Sequence, residues 1–191
     1  IGYKHAIVKI DVRGSGGRGW KYRSEIYGRL VTVEVEDTIE AMEMVLEKYP
    51  RFDKDRVGVF GWSYGGTMAI ALVEKAPQYF FKCAIAVAPV TNFYHYNAMY
   101  TESYMGDAPS SAYTDLSANV TAFRDTKLLL MHGMRDDIVI FRHAALLIES
   151  LQQNDIPFEL MVYPNADHQL EHNVTNHYEH LFHSFLTTCY E

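Results

Sequence analysis

Five consecutive residues, Gly61-Trp62-Ser63-Tyr64-Gly65, carry the strongest chemical signal in the chain. The pattern G-x-S-x-G sets a serine between two glycines at the spacing of a nucleophile elbow. Residues 57–60 read as a short buried strand, and the residues after Gly66 read as a small-residue helix start. An elbow needs that strand–turn–helix context, because it lifts the serine hydroxyl out at the top of a sheet. The flanking glycines are expected where side chains would strike neighbouring backbone.

A serine hydroxyl attacks poorly unless a base takes its proton, and the base is usually a histidine oriented by a carboxylate. In strand–turn–helix hydrolases these follow in the order serine, acid, histidine, on loops after later strands. Asp136 and Asp137 follow an apolar run ending at His132-Gly133, and His168 follows the run 160–163. Spacing alone leaves Asp136 and Asp137 both open as the acid, with Asp137 also a candidate cap for the next helix. Asp167 is too close in sequence to reach its neighbour's Nδ1. Of nine histidines, His168 alone has the right place in that order. His177, His180 and His183 recur every third residue and could share a helix face, but no second ligand cluster supports zinc there. We therefore expect no metal and no cofactor. His132 reads as a satisfied structural histidine at a strand end. The backbone N–H of Tyr64 is the expected oxyanion donor.

These groups must be held by a framework, and the chain predicts one. Strand-like runs at 6–10, 57–60, 83–87, 128–131 and 158–163 alternate with helical segments at 35–48, 66–75, 141–153 and 176–189. That alternation implies an α/β fold with a mainly parallel sheet and helices on both faces. Chemistry in such sheets gathers at the carboxyl ends of the strands. The tyrosine-rich stretch 91–123 reads as irregular and is expected to lie over the site. The 191 residues suit one domain, read here as residues 1–191 of a catalytic domain. A chain opening on Ile1 rather than Met reads as a piece of something longer.

The formal net charge of −7 argues against nucleic acid as a partner. No run approaches the roughly 18 apolar residues of a membrane span. Cys83 and Cys189 leave two readings open, buried thiols or a disulfide. The sequons at Asn119 and Asn173 weigh toward a secreted context and hence toward the disulfide.

With elbow, acids and histidine in place, the chain resembles the C-terminal part of the catalytic domain of dipeptidyl peptidase IV-like serine peptidases, within the prolyl oligopeptidase family. The likeness runs nearly end to end. It is carried by Asp11-Val12-Arg13-Gly14-Ser15-Gly16, Val33-Glu34-Val35-Glu36-Asp37, Gly61-Trp62-Ser63-Tyr64-Gly65-Gly66, the segment from Phe81-Lys82-Cys83 to Ala88-Pro89-Val90, and Tyr100-Thr101-Glu102-Ser103-Tyr104-Met105-Gly106. The resemblance implies an α/β-hydrolase fold, here partial, with the family's β-propeller and earlier strands upstream. It selects Asp136 as the acid and His168 as the base, and it pairs Cys83 with Cys189. It implies a proline pocket built from Tyr64, Val90, Phe93, Tyr96, Tyr100 and Val139, whose aromatics would otherwise read as core.

The implied activity is release of N-terminal Xaa-Pro dipeptides. Substrates would be peptides with proline or alanine at the penultimate position. The resemblance further implies a homodimeric parent and an extracellular setting, as a secreted protein or the ectodomain of a type II membrane protein. The family's second oxyanion donor also lies upstream, so this chain alone is expected to be inactive. Three residues depart from the family pattern. Ile138 stands where active members carry asparagine, Gln169 replaces a glycine after the histidine and is expected to crowd that loop, and Phe93 replaces a tryptophan. The competing reading is a weakened or inactive relative acting as a binding or channel-accessory ectodomain. Endopeptidases and esterases of the same fold remain further alternatives.

Overall fold

In the computed structural model, which describes residues 5–109, 112–171 and 174–191, four strands form one parallel sheet. The strands are β1 (Gly58–Trp62), β2 (Cys83–Val87), β3 (Lys127–Gly133) and β4 (Glu159–Tyr163), paired in the order β1-β2-β3-β4. The helices are α1 (Trp20–Arg23), α2 (Val33–Lys48), α3 (Tyr64–Lys75), α4 (Ala98–Met105), α5 (Arg142–Gln153) and α6 (Thr175–Tyr190). A parallel pair needs a long crossover, so every strand-to-strand connection carries a helix or a long loop.

The central strands explain the layering. Residues 83–87 of β2 are all buried, as a strand covered on both faces must be. Its side chains alternate between two cores. Ala84 and Ala86 join Leu128 and Leu130 of β3 in the core beneath α2, α3 and α5. Cys83, Ile85 and Val87 join Leu129 and Met131 in the core against Phe185 and Leu181 of α6. Period-two alternation thus sorts the apolar side chains to opposite faces.

The disulfide pairs Cys83, at the start of β2, with Cys189 in the last turn of α6, at a Cα–Cα distance of 6.2 Å. It spans 106 residues of sequence. In the chain-entropy account, a loop that long contributes about 4–5 kcal/mol by constraining the unfolded chain.

Two sequence expectations change. The run 6–10 is not a strand: it is largely exposed and pairs with no other strand among the described residues. A hydrophobic run becomes a strand only when a ladder partner takes its N–H and C=O groups. The stretch 91–123 is also more ordered than expected. Asn92 accepts from Tyr94 N–H to open the turn Phe93–His95, and Asn97 caps α4 by accepting from Tyr100 N–H. Asn119 lies in the described structure, where its Oδ1 accepts from the Thr121 hydroxyl at 2.8 Å. Asn173 lies outside the described residues.

Candidate active site

Ser63 lies at the junction of β1 and α3 with φ 57° and ψ −121°, a strained conformation for a residue with a Cβ. Its backbone N–H donates to the Val87 carbonyl at 2.8 Å, which ties the turn to the end of β2. The glycines divide their work unevenly. A Cβ on Gly61 would lie 1.8 Å from the Gly65 carbonyl oxygen, and one on Gly66 would lie 2.9 Å from the Val87 oxygen. A Cβ on Gly65 would meet nothing within 4 Å, so the expected clash there is absent. Gly61 and Gly66 are the steric requirements of this turn.

Tyr64 is the first residue of α3, so its N–H has no carbonyl in the preceding turn to bond. That donor, with the positive end of the helix dipole behind it, suits an anion forming at Ser63.

The acid and the base meet across the ends of β3 and β4. His168 Nδ1 lies 2.7 Å from Asp136 Oδ2, with both side chains almost fully buried. A carboxylate only accepts, so Nδ1 carries the proton and Nε2 is left as the basic nitrogen. Asp136 Oδ1 accepts from the N–H groups of Ile138 at 3.0 Å and Val139 at 2.8 Å. His132 Nε2 approaches Asp136 Oδ2 at 3.3 Å and bonds the Val139 carbonyl at 2.7 Å. That carbonyl also only accepts, so His132 carries its proton on Nε2. Burial alone would push the Asp136 carboxyl up. Hydrogen bonding from His132, His168 and the Val139 N–H outweighs it and holds Asp136 well below the usual carboxylate range.

The histidine loop is fastened to the elbow. Trp62 Nε1 donates to the His168 carbonyl at 2.9 Å. Arg135 N–H donates to the Ala166 carbonyl at 3.0 Å, and Gly133 packs so close that a Cβ would lie 2.5 Å from the Ala166 and Asp167 oxygens. A serine in a strained turn, a buried acid–histidine pair and a helix N-terminus are thus gathered at the carboxyl ends of β1, β3 and β4. This arrangement is suited to acyl transfer through a serine nucleophile.

All six expected pocket residues belong to the main core beneath α2, α3 and α5, with Val90, Phe93 and Val139 buried in it and Tyr64, Tyr96 and Tyr100 partly buried against it. Phe93 is central, stacked with Tyr100 at 6.3 Å between ring centres, edge-on to Tyr96 at 6.3 Å, and 6.2 Å from Tyr64. Two clefts lie elsewhere, one of about 640 Å³ between α2 and the loop 50–55, the other of about 270 Å³ beside Glu74. Neither is lined by Ser63, Asp136 or His168, so chemistry rather than size locates the site.

Several side chains depart from expectation. Asp137 is exposed and does not cap α5, which begins at Arg142 after the N-cap residue Phe141 with no side-chain cap bond. Gln169 is exposed and does not crowd the histidine; the left-handed residue of that loop is Leu170, at φ 51°. His132 is buried but only half satisfied, because its Nδ1 has no hydrogen-bond partner among the described residues. Tyr163 meets His177 Nδ1 at 3.1 Å, which gives one of the three α6 histidines a packing partner. Among the described residues no group of three His, Cys, Asp or Glu could hold a metal ion.

Sequence reasoning missed two contacts altogether. Glu34 is buried against Tyr64, and Arg13 binds Asp37 through its backbone and side chain. Arg13 and Asp37 lie in two of the segments that carry the family resemblance, a signal that could have paired them.

A parallel sheet with a serine elbow at its carboxyl edge and helices on both faces defines an α/β-hydrolase domain. The model of the prolyl oligopeptidase family, peptidase S9, matches residues 4–191, and the chain belongs to that family. It is 55% identical over 186 residues to dipeptidyl peptidase family member 1 of Caenorhabditis elegans, covering 97% of this chain and 23% of that protein. It is 38% identical over 192 residues to dipeptidyl peptidase 4 of Sus scrofa, covering 96% and 25%. Among solved structures, dipeptidyl peptidase 4 of Porphyromonas gingivalis superposes with a TM-score of 0.78 at 30% identity, covering 94% of this chain and 26% of that one. The chain therefore spans about a quarter of the length of the curated relatives it matches.

Proposed function

We propose that the chain is the catalytic portion of a serine exopeptidase that releases N-terminal Xaa-Pro dipeptides. Ser63 Oγ attacks the carbonyl carbon of the penultimate residue, and His168 Nε2 takes the hydroxyl proton. The tetrahedral oxyanion is held in part by the Tyr64 N–H. His168 returns the proton to the leaving amine, and water then releases the dipeptide from the acyl-enzyme by the same relay in reverse. Asp136 keeps the imidazole in the required tautomer. The single observation that carries this reading is the buried 2.7 Å His168–Asp136 pair, pinned through the His168 carbonyl to Trp62, the neighbour of Ser63.

Proline or alanine at the penultimate position is supported by the pocket cluster around Phe93, which offers ring carbon on several sides. An extracellular or type II ectodomain setting draws on the disulfide and on the sequon at Asn119. No described helix is long and apolar enough to cross a membrane. A homodimeric parent rests on the family resemblance alone.

The competing reading, a binding or channel-accessory ectodomain, draws on Ile138. Its side chain is 50% exposed beside Asp136 and offers a substrate carbonyl no donor. Fluorophosphonate labelling of the full-length protein, wild type beside Ser63→Ala, separates the two. Serine-dependent labelling followed by Gly-Pro-amide hydrolysis is expected. A folded protein that takes no label sinks the peptidase reading and leaves the binding one.

A further inference from the structure

Glu34 is a carboxylate only 3% exposed, at the second position of α2, in a chain whose other acids are mostly at the surface. Burying a carboxylate is costly unless donors replace water, and here three do. Oε1 accepts from Val31 N–H at 2.6 Å, Oε2 from Thr32 N–H at 3.0 Å, and Oε1 also accepts the Tyr64 hydroxyl. The two backbone bonds are those of a helix N-terminus folding back on its own entry. They hold Val31, a β-branched residue at φ 62° and 2% exposed, in the left-handed region it would otherwise avoid. The third bond is not needed for capping and reaches across 30 residues of sequence to the elbow.

That third bond matters because of what else Tyr64 does. Its ring lines the cluster around Phe93, and its own N–H is the oxyanion donor. One residue thus meets the pocket and the reacting carbonyl at once. Burial, reinforced by the neighbouring Glu34 charge, pushes the Tyr64 phenol far above its ordinary range, so it stays a donor. With the hydroxyl turned onto Glu34, the wall that Tyr64 presents is carbon.

We propose that Glu34 is a positioning residue for acyl transfer: it holds the Tyr64 hydroxyl and thereby fixes both the pocket wall and the N–H at the start of α3. This rests on the peptidase reading above. It also gives the pocket a selectivity, because a residue whose side chain needs a hydrogen bond finds no partner on the Tyr64 ring.

The test uses the full-length protein in four forms: wild type, Glu34→Gln, Tyr64→Phe and the double variant. Fluorophosphonate labelling of the wild type comes first, since its absence would sink the peptidase reading rather than this one. Tyr64→Phe keeps both backbone bonds to Glu34 and the oxyanion N–H, so it removes only the proposed link. In a labelled protein, each single variant is expected to lower kcat for Gly-Pro-amide on the order of 10-fold. The double variant is expected to fall no further than the worse single one, and the preference for Gly-Pro over Gly-Ser amides should shrink in Glu34→Gln, where the hydroxyl is loosened from its acceptor, and persist in Tyr64→Phe, whose ring carries none. A Glu34 that merely caps α2 would give a lower Tm in Glu34→Gln with a Tyr64→Phe protein of wild-type kcat and KM. That result, or losses that multiply in the double variant, overturns the proposal.

Discussion

Asp136 and Glu74 are both carboxyls withdrawn from water, and their surroundings drive them in opposite directions. Asp136 meets two histidine ring nitrogens and two backbone N–H groups, and the summed hydrogen bonding overcomes burial to keep it ionised. Glu74, near the end of α3, has a buried Oε1 with no hydrogen-bond partner among the described residues. Burial pushes its carboxyl up to about 8, Lys75 opposes the shift, and Asp115 adds to it. The lesson is that burial does not set the charge of an acid; the number of donors supplied at the burial site does. Donors are concentrated where α/β geometry brings strand ends and loops together, and α3 has none to offer at position 74.

The pH consequences have opposite signs. The folded pKa of Asp136 is depressed, so its contribution to stability is present above the ordinary carboxylate pKa and is lost as pH falls below it. The folded pKa of Glu74 is raised. Above about 4.5 the unfolded chain releases this proton while the folded protein keeps it, so stability declines as pH rises from about 4.5 to about 8.

Asp136→Asn is expected to cost the most activity. An amide can donate as well as accept, so His168 is free to take the other tautomer and Nε2 ceases to be the base. In the full-length protein kcat for Gly-Pro-amide should fall by about 10⁴ with little change in KM, measured by steady-state kinetics. A loss below 10-fold would mean that His168 needs no orienting acid.

Glu74→Gln is next. The amide removes the cost of ionising a group without partners, and the variant should be more stable than wild type on the alkaline side only. The gain should be on the order of 4 kcal/mol at pH 8 and near zero at pH 4.5, as a carboxyl raised from 4.5 to about 8 requires. Amide hydrogen exchange of α3, variant against wild type at each pH, reads it locally. An equal gain at both pH values would assign the effect to packing rather than charge.

How far these environments were legible in the sequence differs between the two. The framework was legible, because apolar periodicity marked β2, β3, α3 and α5 within a residue or two and strand ends are where such folds place chemistry. Ser63 was legible because its turn needs glycine at 61, and His168 because chain order left one histidine in place. Asp136 against Asp137 was legible only through the family resemblance and not through spacing. The choice depends on a turn that aims the first carboxylate inward onto the Ile138 and Val139 N–H groups, and adjacent aspartates look alike until backbone direction is known. Residues 6–10 were misread because strand propensity says nothing of whether a partner lies alongside. Glu34 and Glu74 were illegible for a related reason. Glu34 sits among other acids in the first turn of α2 and Glu74 beside Lys75 at the end of α3, where an exposed carboxylate is expected, and only the packing of the two helices against other elements withdraws them from water.

His132→Phe probes the donor count at Asp136 directly. Phenylalanine keeps the ring buried but deletes Nε2, and with it the approach to Asp136 Oδ2 and the bond to the Val139 carbonyl. The expected loss in kcat is on the order of 10-fold, smaller than for Asp136→Asn because three donors remain. His132→Gln, whose amide N–H can reach the same acceptors, should recover most of it. A His132→Gln protein as slow as His132→Phe would reduce His132 to a packing residue.

Asp115→Asn is the smallest and most discriminating change. Asp115 acts on Glu74 only through charge, while burial is the larger cause of its shift. If desolvation dominates, removing the Asp115 charge should relieve Glu74 by no more than a few tenths of a kcal/mol, as a screened charge interaction near the protein surface does. The alkaline loss of α3 protection should therefore persist almost unchanged in Asp115→Asn and vanish in Glu74→Gln, read by the same exchange experiment. Were Asp115→Asn to abolish the pH dependence, Glu74 would be a like-charge pair rather than an unpartnered acid. Its contrast with Asp136 would then rest on the sign of one neighbour instead of on the supply of donors.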